Sequence, residues 1–137
     1  MSADRKAIAR KVFDVVCGGD MAVADEILAP DVVFTTVSGA VLRGRSEFKH
    51  FAEAFRNAFP DISFQLEAEL CEGDLVSARY LMRGTFLGTL MGLLPTGNEF
   101  SVRGIDTFRV VDGKVVEIYA SFDTLGQMQQ LGIVPKL

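Results

Sequence analysis

The feature that most restricts the fold is a change of hydrophobic period at Pro60. Ahead of it, apolar residues recur every three or four positions. Beyond it, they alternate with polar ones as far as Phe122. A helical stripe and a strand face bury themselves in different ways, so this chain must pack helices from its front half on a sheet from its back half.

In the front half, Ile8, Val12, Val15 and Val16 put an apolar stripe on a helix expected over Ala3–Cys17, which Gly18-Gly19 stops. Asp20 can cap a short second helix, Met21–Leu28, closed off by Pro30. A strand, Val32–Thr36, then leads through Ser38-Gly39 into a loop that ends at Gly44. Phe48, Phe51, Ala52, Phe55, Ala58 and Phe59 form one face of a third helix, with Ser46 as its N-cap and Pro60 as its stop. His50, the only histidine, falls on the opposite side of that helix beside Lys49, Glu53, Arg56 and Asn57. It is expected in solvent.

In the back half, Ile62, Phe64, Leu66, Ala68 and Leu70 share one strand face. Glu72-Gly73-Asp74 turns the chain into a second strand with Val76, Ala78, Tyr80 and Met82 inward. A Gly-punctuated segment (Gly84, Gly88, Gly92) ends at Pro95-Thr96-Gly97, and a third strand spans Phe100–Val111. Asp112-Gly113 is a two-residue hairpin signal, and the fourth strand carries Val116, Ile118, Ala120 and Phe122. Asp123 opens and N-caps a final helix to Leu131, closed by Gly132. The 137 residues read as a single α+β domain with an antiparallel meander.

Composition removes several functions. A net charge of −4, with fourteen Lys and Arg spread along the chain and no basic stripe, gives no footprint for nucleic acid and none for a membrane surface. No apolar run reaches the length of a membrane span. The first residues form a polar helix without a signal core, so a cytoplasmic location is expected. Cys17 and Cys71 lack metal or CxxC spacing and are expected as reduced, buried thiols. No phosphate loop, metal-ligand cluster or Ser-His-Asp set is legible, and no cofactor is expected.

One residue breaks the pattern. On the third strand, Phe100, Val102, Gly104, Asp106, Phe108 and Val110 share the apolar parity. A carboxylate there loses hydration, at a cost of several kcal/mol when unpaired. Asp106 must be protonated with a raised pKa, paired with a cation, hydrogen-bonded by hydroxyls, or turned to solvent by a bulge beside Gly104. A raised-pKa carboxyl in an apolar pocket is a general acid or base. Tyr80, on the inner parity, either presents its hydroxyl to a ligand or fills the core. Phe34, Phe55, Met82, Phe86 and Met91, with Phe13, suit an adaptable apolar lining and suit an ordinary core nearly as well. Val102, Phe108 and Ile118 share the inward face.

Gly84-Thr85-Phe86-Leu87-Gly88, Gly92-Leu93-Leu94-Pro95-Thr96-Gly97, Gly104-Ile105-Asp106, Asp112-Gly113-Lys114-Val115-Val116-Glu117 and Gln129-Gln130-Leu131-Gly132 together resemble the SnoaL-like polyketide cyclases. These belong to the nuclear transport factor 2-like superfamily, with ketosteroid isomerases and limonene epoxide hydrolases. The resemblance covers nearly the whole chain. It implies a cone-shaped curved sheet wrapped on the N-terminal helices, an apolar cavity for a small hydrophobic molecule, and a homodimer.

Residue by residue, the resemblance places the cyclases' acid/base aspartate on Ala120, their pocket histidine on Asp106, and a second histidine on Phe86. Where many relatives carry Glu-His-Trp, this chain has Glu117-Ile118-Tyr119. The isomerases' oxyanion-hole aspartate falls on Asp106, a position whose protonated form is a known example of a raised carboxyl pKa. Their base falls on Thr35 and their tyrosine near Val12. The hydrolases' acidic pair falls on Leu81 and Ala120. The expectation is a cofactor-independent enzyme acting on a hydrophobic carbonyl compound through Asp106, with Thr35 and Tyr80 orienting it. A non-catalytic binding protein of the same fold is the alternative, and a protein-interaction module is a third.

Overall fold

The computed structural model describes residues 2–136. Its elements are α1 (Ser2–Val16), α2 (Ala22–Ile27), β1 (Leu28–Thr35), β2 (Val41–Arg43), α3 (Arg45–Ala58), β3 (Ser63–Glu72), β4 (Leu75–Thr85), β5 (Glu99–Val111), β6 (Lys114–Phe122) and α4 (Thr124–Gln130). The strands form one curved, unclosed six-stranded sheet in the order β2-β1-β6-β5-β4-β3. From β3 to β6 it is the expected antiparallel meander. The β5–β6 hairpin turns at Asp112 and Gly113, both with positive φ (51° and 76°), as a type I′ turn requires.

Helices α1 and α3 pack on one face of the sheet, whereas α4 borders β5 beyond the end of β6, its Gln130 side chain bonded to the Ser101 backbone. Val12, Phe13, Val15 and Val16 of α1 and Phe48 and Ala52 of α3 are buried against Val76, Tyr80, Met82, Phe108 and Ile118 of the strands. Aromatic rings carry much of this packing: Phe13 stands 5.5 Å from Phe108, and Phe59 stands 5.0 Å from Phe100, both edge-on. Among the described residues, no helix is long and apolar enough to cross a membrane.

Four local expectations are corrected. The first strand begins at Leu28 rather than Val32, and Pro30 lies within it. Pairing there is irregular between Leu28 and Val33, so the missing proline N–H breaks no regular ladder. The segment read as a loop before Gly44 holds β2, too short to show an alternating pattern. β1 also joins β6 in parallel, a pairing between the two halves of the chain.

Ser46 is not the cap of α3. The helix starts directly after Gly44, and the Glu47 carboxylate instead accepts the Arg43 N–H at 2.6 Å. In β3, a bulge between Leu66 and Ala68 shifts the alternation by one residue. Leu70 turns outward and is 73% exposed, while Glu69 turns towards α1 and meets Arg10 at 2.9 Å.

The segment after β4 is tied to the end of α3 by the N–H groups of Leu87 and Gly88, which both donate to the Ala58 carbonyl. A Cβ on Gly88 would lie 2.0 Å from the Asn57 carbonyl oxygen, a backbone atom that cannot swing aside. Gly88→Ala should therefore destabilise the fold by about 2–3 kcal/mol. Urea unfolding would show this as a lower midpoint at unchanged slope.

Candidate active site

Asp106 sits where strand alternation puts it, on the helix-facing side of β5. Its cross-strand neighbours in register are Ala78 on β4 and Ala120 on β6. Two methyl side chains leave the carboxyl uncovered on both flanks. The bulge in the β5–β6 pair lies at Arg109/Val110, beyond Asp106, and does not turn the carboxyl out to solvent.

Both of its hydrogen bonds fall on one oxygen. The Tyr80 hydroxyl donates to Oδ1 at 2.8 Å, and the Ser121 N–H donates to the same atom at 3.3 Å. Oδ2 has no hydrogen-bond partner among the described residues, and no cation pairs with the carboxyl among them. Burial pushes the Asp106 pKa up to about 7, against the pull of the Tyr80 and Ser121 hydrogen bonds. Near neutral pH, both its acid and its base forms are populated. Burial, together with the adjacent carboxylate, pushes the Tyr80 hydroxyl far above its ordinary value, so it remains a donor. Phe13 and Phe64 hold the tyrosine ring at 5.4 and 5.1 Å, both edge-on.

The carboxyl opens on an apolar cavity of about 50 Å³ between α1, α3 and the sheet. Of the residues singled out from sequence, Val12, Phe34, Phe55, Tyr80, Met82, Asp106, Ile118 and Ala120 line it. Phe13 does too. Phe48, Phe51, Phe64 and Phe122 complete its aromatic wall. Each lay on an apolar face in the sequence, but only tertiary packing shows which end of that face meets the cavity.

The remaining candidates lie elsewhere. Phe86 is fully buried against Phe59, at 5.9 Å, outside the lining. Val102 and Phe108 are buried core residues that do not border the cavity. Thr35 pairs with the exposed Tyr119, on the sheet face opposite to Phe34. Met91 is 83% exposed, at a tight turn with φ 48°.

His50 is exposed, and Asp123 caps α4 by accepting the Gly126 N–H at 2.8 Å, both as the sequence implied. Asp123→Ala should cost about 1 kcal/mol, read from thermal unfolding. Cys17 and Cys71 are free, but neither is buried as expected: Cys17 is exposed, just past the end of α1, and Cys71 is half-buried on β3. No group of three or more His, Cys, Asp or Glu among the described residues is placed to hold a metal ion.

Residues 6–131 match the family model for SnoaL-like polyketide cyclases. The chain belongs to the SnoaL-like polyketide cyclase family. It is 32% identical over 138 aligned positions to the aklanonic acid methyl ester cyclase AcmA of Streptomyces galilaeus, covering 96% of this chain and 92% of that one. It is 35% identical over 92 residues to the aklanonic acid methyl ester cyclase DnrD of Streptomyces peucetius, covering 66% of this chain but only 63% of DnrD's length. A crystal structure from Jannaschia sp. CCS1, described as a SnoaL-like polyketide cyclase, superposes with a TM-score of 0.90 over 98% of this chain and 95% of that one. At 23% identity, that likeness speaks for the fold alone.

Proposed function

We propose that this SnoaL-like protein is a cofactor-independent cyclase or isomerase that holds a small hydrophobic carbonyl compound against Asp106. One observation carries the reading: a carboxyl set among apolar side chains has both donors on Oδ1 and leaves Oδ2 free. For ring closure, Oδ2 takes a proton from a carbon activated by a neighbouring carbonyl. The resulting enolate carbon attacks a second carbonyl of the same molecule, forming the carbon–carbon bond. Asp106 then returns its proton to the new alkoxide oxygen. Atoms and electrons balance without an oxidant or reductant, and one carboxyl serves first as base and then as acid. Tyr80 donates to Oδ1 throughout. Val12, Phe34, Phe55, Met82 and Ile118 exclude water, and Ala120 leaves space beside the carboxyl.

The relatives' names say that they cyclise acid methyl esters. The cavity lining contains no Lys, Arg or His to meet a free carboxylate, and burying an unpaired charge is expensive. A methyl ester ligand should therefore bind at least about tenfold more tightly than its free acid at pH 8, as measured by calorimetry. Equal affinity would count against the apolar cavity as the binding site.

A binding protein without turnover is the second reading. It is favoured by Ala120, at the cyclases' acid/base position, and by a cavity much smaller than the few hundred Å³ of typical ligand pockets. A cyclase must open its aromatic wall, where Phe51, Phe55 and Phe122 are only half-buried. Incubation with a polyketide-type methyl ester separates the two: an isomeric product of unchanged mass supports the enzyme, and binding without conversion supports the carrier. As part of the same proposal, the protein is cytoplasmic, and its outer sheet face, where Ile105 and Tyr119 are 48% and 55% exposed, pairs with a second copy. Light scattering would report that mass.

A further inference from the structure

We propose that Gly104 is the positioning residue of this site: the absent side chain at that point of β5 lets the Tyr80 ring lie across the strand and bring its hydroxyl to Asp106. The inference rests on the acid/base role proposed above for Asp106. Gly104 is in register with Tyr80 of β4 on one side and Phe122 of β6 on the other. Asp106 follows two residues later on the same face. A Cβ on Gly104 would stand 2.6 Å from the Tyr80 hydroxyl oxygen, 2.7 Å from the ring carbon that bears it, and 2.5 Å from Phe122 Cβ. Side chains do not tolerate such contacts, so any larger residue must displace the ring.

Backbone conformation does not explain this glycine. Gly104 is absent from the positive-φ positions, so its dihedrals suit any residue. The space above it is what matters. Phe13 and Phe64 box the tyrosine ring on its other sides, so a push from Gly104 moves the hydroxyl off Oδ1. Only the longer Ser121 bond would then remain on that oxygen. Losing a donor to the ionised form makes a carboxyl a weaker acid. Gly104 thus sets the proton affinity of Asp106 through the tyrosine without touching substrate.

The test is a carboxyl-carbon NMR titration of Asp106 in wild type, Gly104→Ala, Tyr80→Phe and the double variant. Each single variant is expected to raise the midpoint by about one pH unit, the worth of one hydrogen bond to a charged group. The double variant should move it no further, because both changes remove the same bond. In Gly104→Ala, the lower limb of the turnover profile should shift by the same amount. A folded Gly104→Ala protein that titrates as wild type overturns the proposal, and so do additive shifts. Should Gly104→Ala fail to fold, Gly104→Ala in a Tyr80→Leu background decides. A folded product supports the proposal, whereas another unfolded one means that Phe122 excludes the Cβ and overturns it. The titration needs no substrate, so it stands even if no compound is turned over and the enzymatic reading fails.

Discussion

Asparagine in place of Asp106 is expected to make the protein more stable at pH 8 and to remove most of its turnover. In the folded chain, burial pushes the Asp106 pKa up to about 7, whereas an unfolded aspartate titrates near 4. Between those two values, the folded state keeps a proton that the unfolded state has lost, so stability falls as pH rises through that window. Outside it, this residue contributes no slope. Above pH 7, the full effect is about 4 kcal/mol of lost stability, at 1.36 kcal/mol for each pH unit between the two midpoints. Asp106→Asn keeps the shape and the acceptor for Tyr80 but has nothing to ionise. Its stability advantage over wild type should grow by about 2–3 kcal/mol between pH 5 and pH 8, as measured by urea unfolding at the two values. Turnover should drop about 10²- to 10⁴-fold, the usual worth of a general acid or base. A variant that gains no stability with pH would show that Asp106 titrates normally, and the acid/base role would go with it.

The second large effect comes from Ala120→Asp. Ala120 faces Asp106 directly across the β5–β6 pair and lines the cavity. Directly opposite residues have Cβ atoms roughly 4.5–5.5 Å apart, so the variant sets two carboxyls side by side in apolar surroundings. They cannot both ionise cheaply, and the pair should lose its protons in two well-separated steps. One step is expected below the wild-type midpoint and one at least one pH unit above it, visible in the carboxyl NMR titration. The fold should tolerate the change at pH 5 and lose several kcal/mol by pH 8, when the second proton leaves. On the proposed chemistry, the pair divides the work, one carboxyl ionised as base and the other protonated as acid. Turnover of a methyl ester substrate should then rise in the window between the two steps. Two independent midpoints near the ordinary carboxylate value would show that position 120 does not face Asp106 in the folded protein.

The alternation of Val76, Ala78, Tyr80 and Met82, and of Phe100 to Val110, was legible in the sequence because uninterrupted strands keep a strict period of two. That regularity placed Asp106 inward. β3 was misread past Leu66 because a bulge leaves no compositional mark, and one extra residue exchanged Leu70 for Glu69 on the inner side. The Tyr80–Asp106 hydrogen bond was illegible for another reason. It joins residues on neighbouring strands that are not opposite each other, so it depends on a register that no local pattern encodes. Thr35 and Met91 entered through resemblance and through composition, and neither kind of argument carries strand parity or exposure. The cavity wall was half legible: apolar faces show which side of an element is buried, but not how far along it a void remains.

The parallel pairing of β1 with β6 has a consequence for how the chain reaches its native state. Phe34 meets Ile118, and Lys114 Nζ reaches the Glu26 carbonyl, so the cavity's far wall closes only when the last strand arrives. During synthesis, the β1–β2 ribbon waits with one flank unpaired until β6 has emerged, and the loop-closure entropy of that long connection must be met first. Until then, Phe34 and its aromatic neighbours stand uncovered, which makes the nascent intermediate the stage most exposed to aggregation and to chaperone capture.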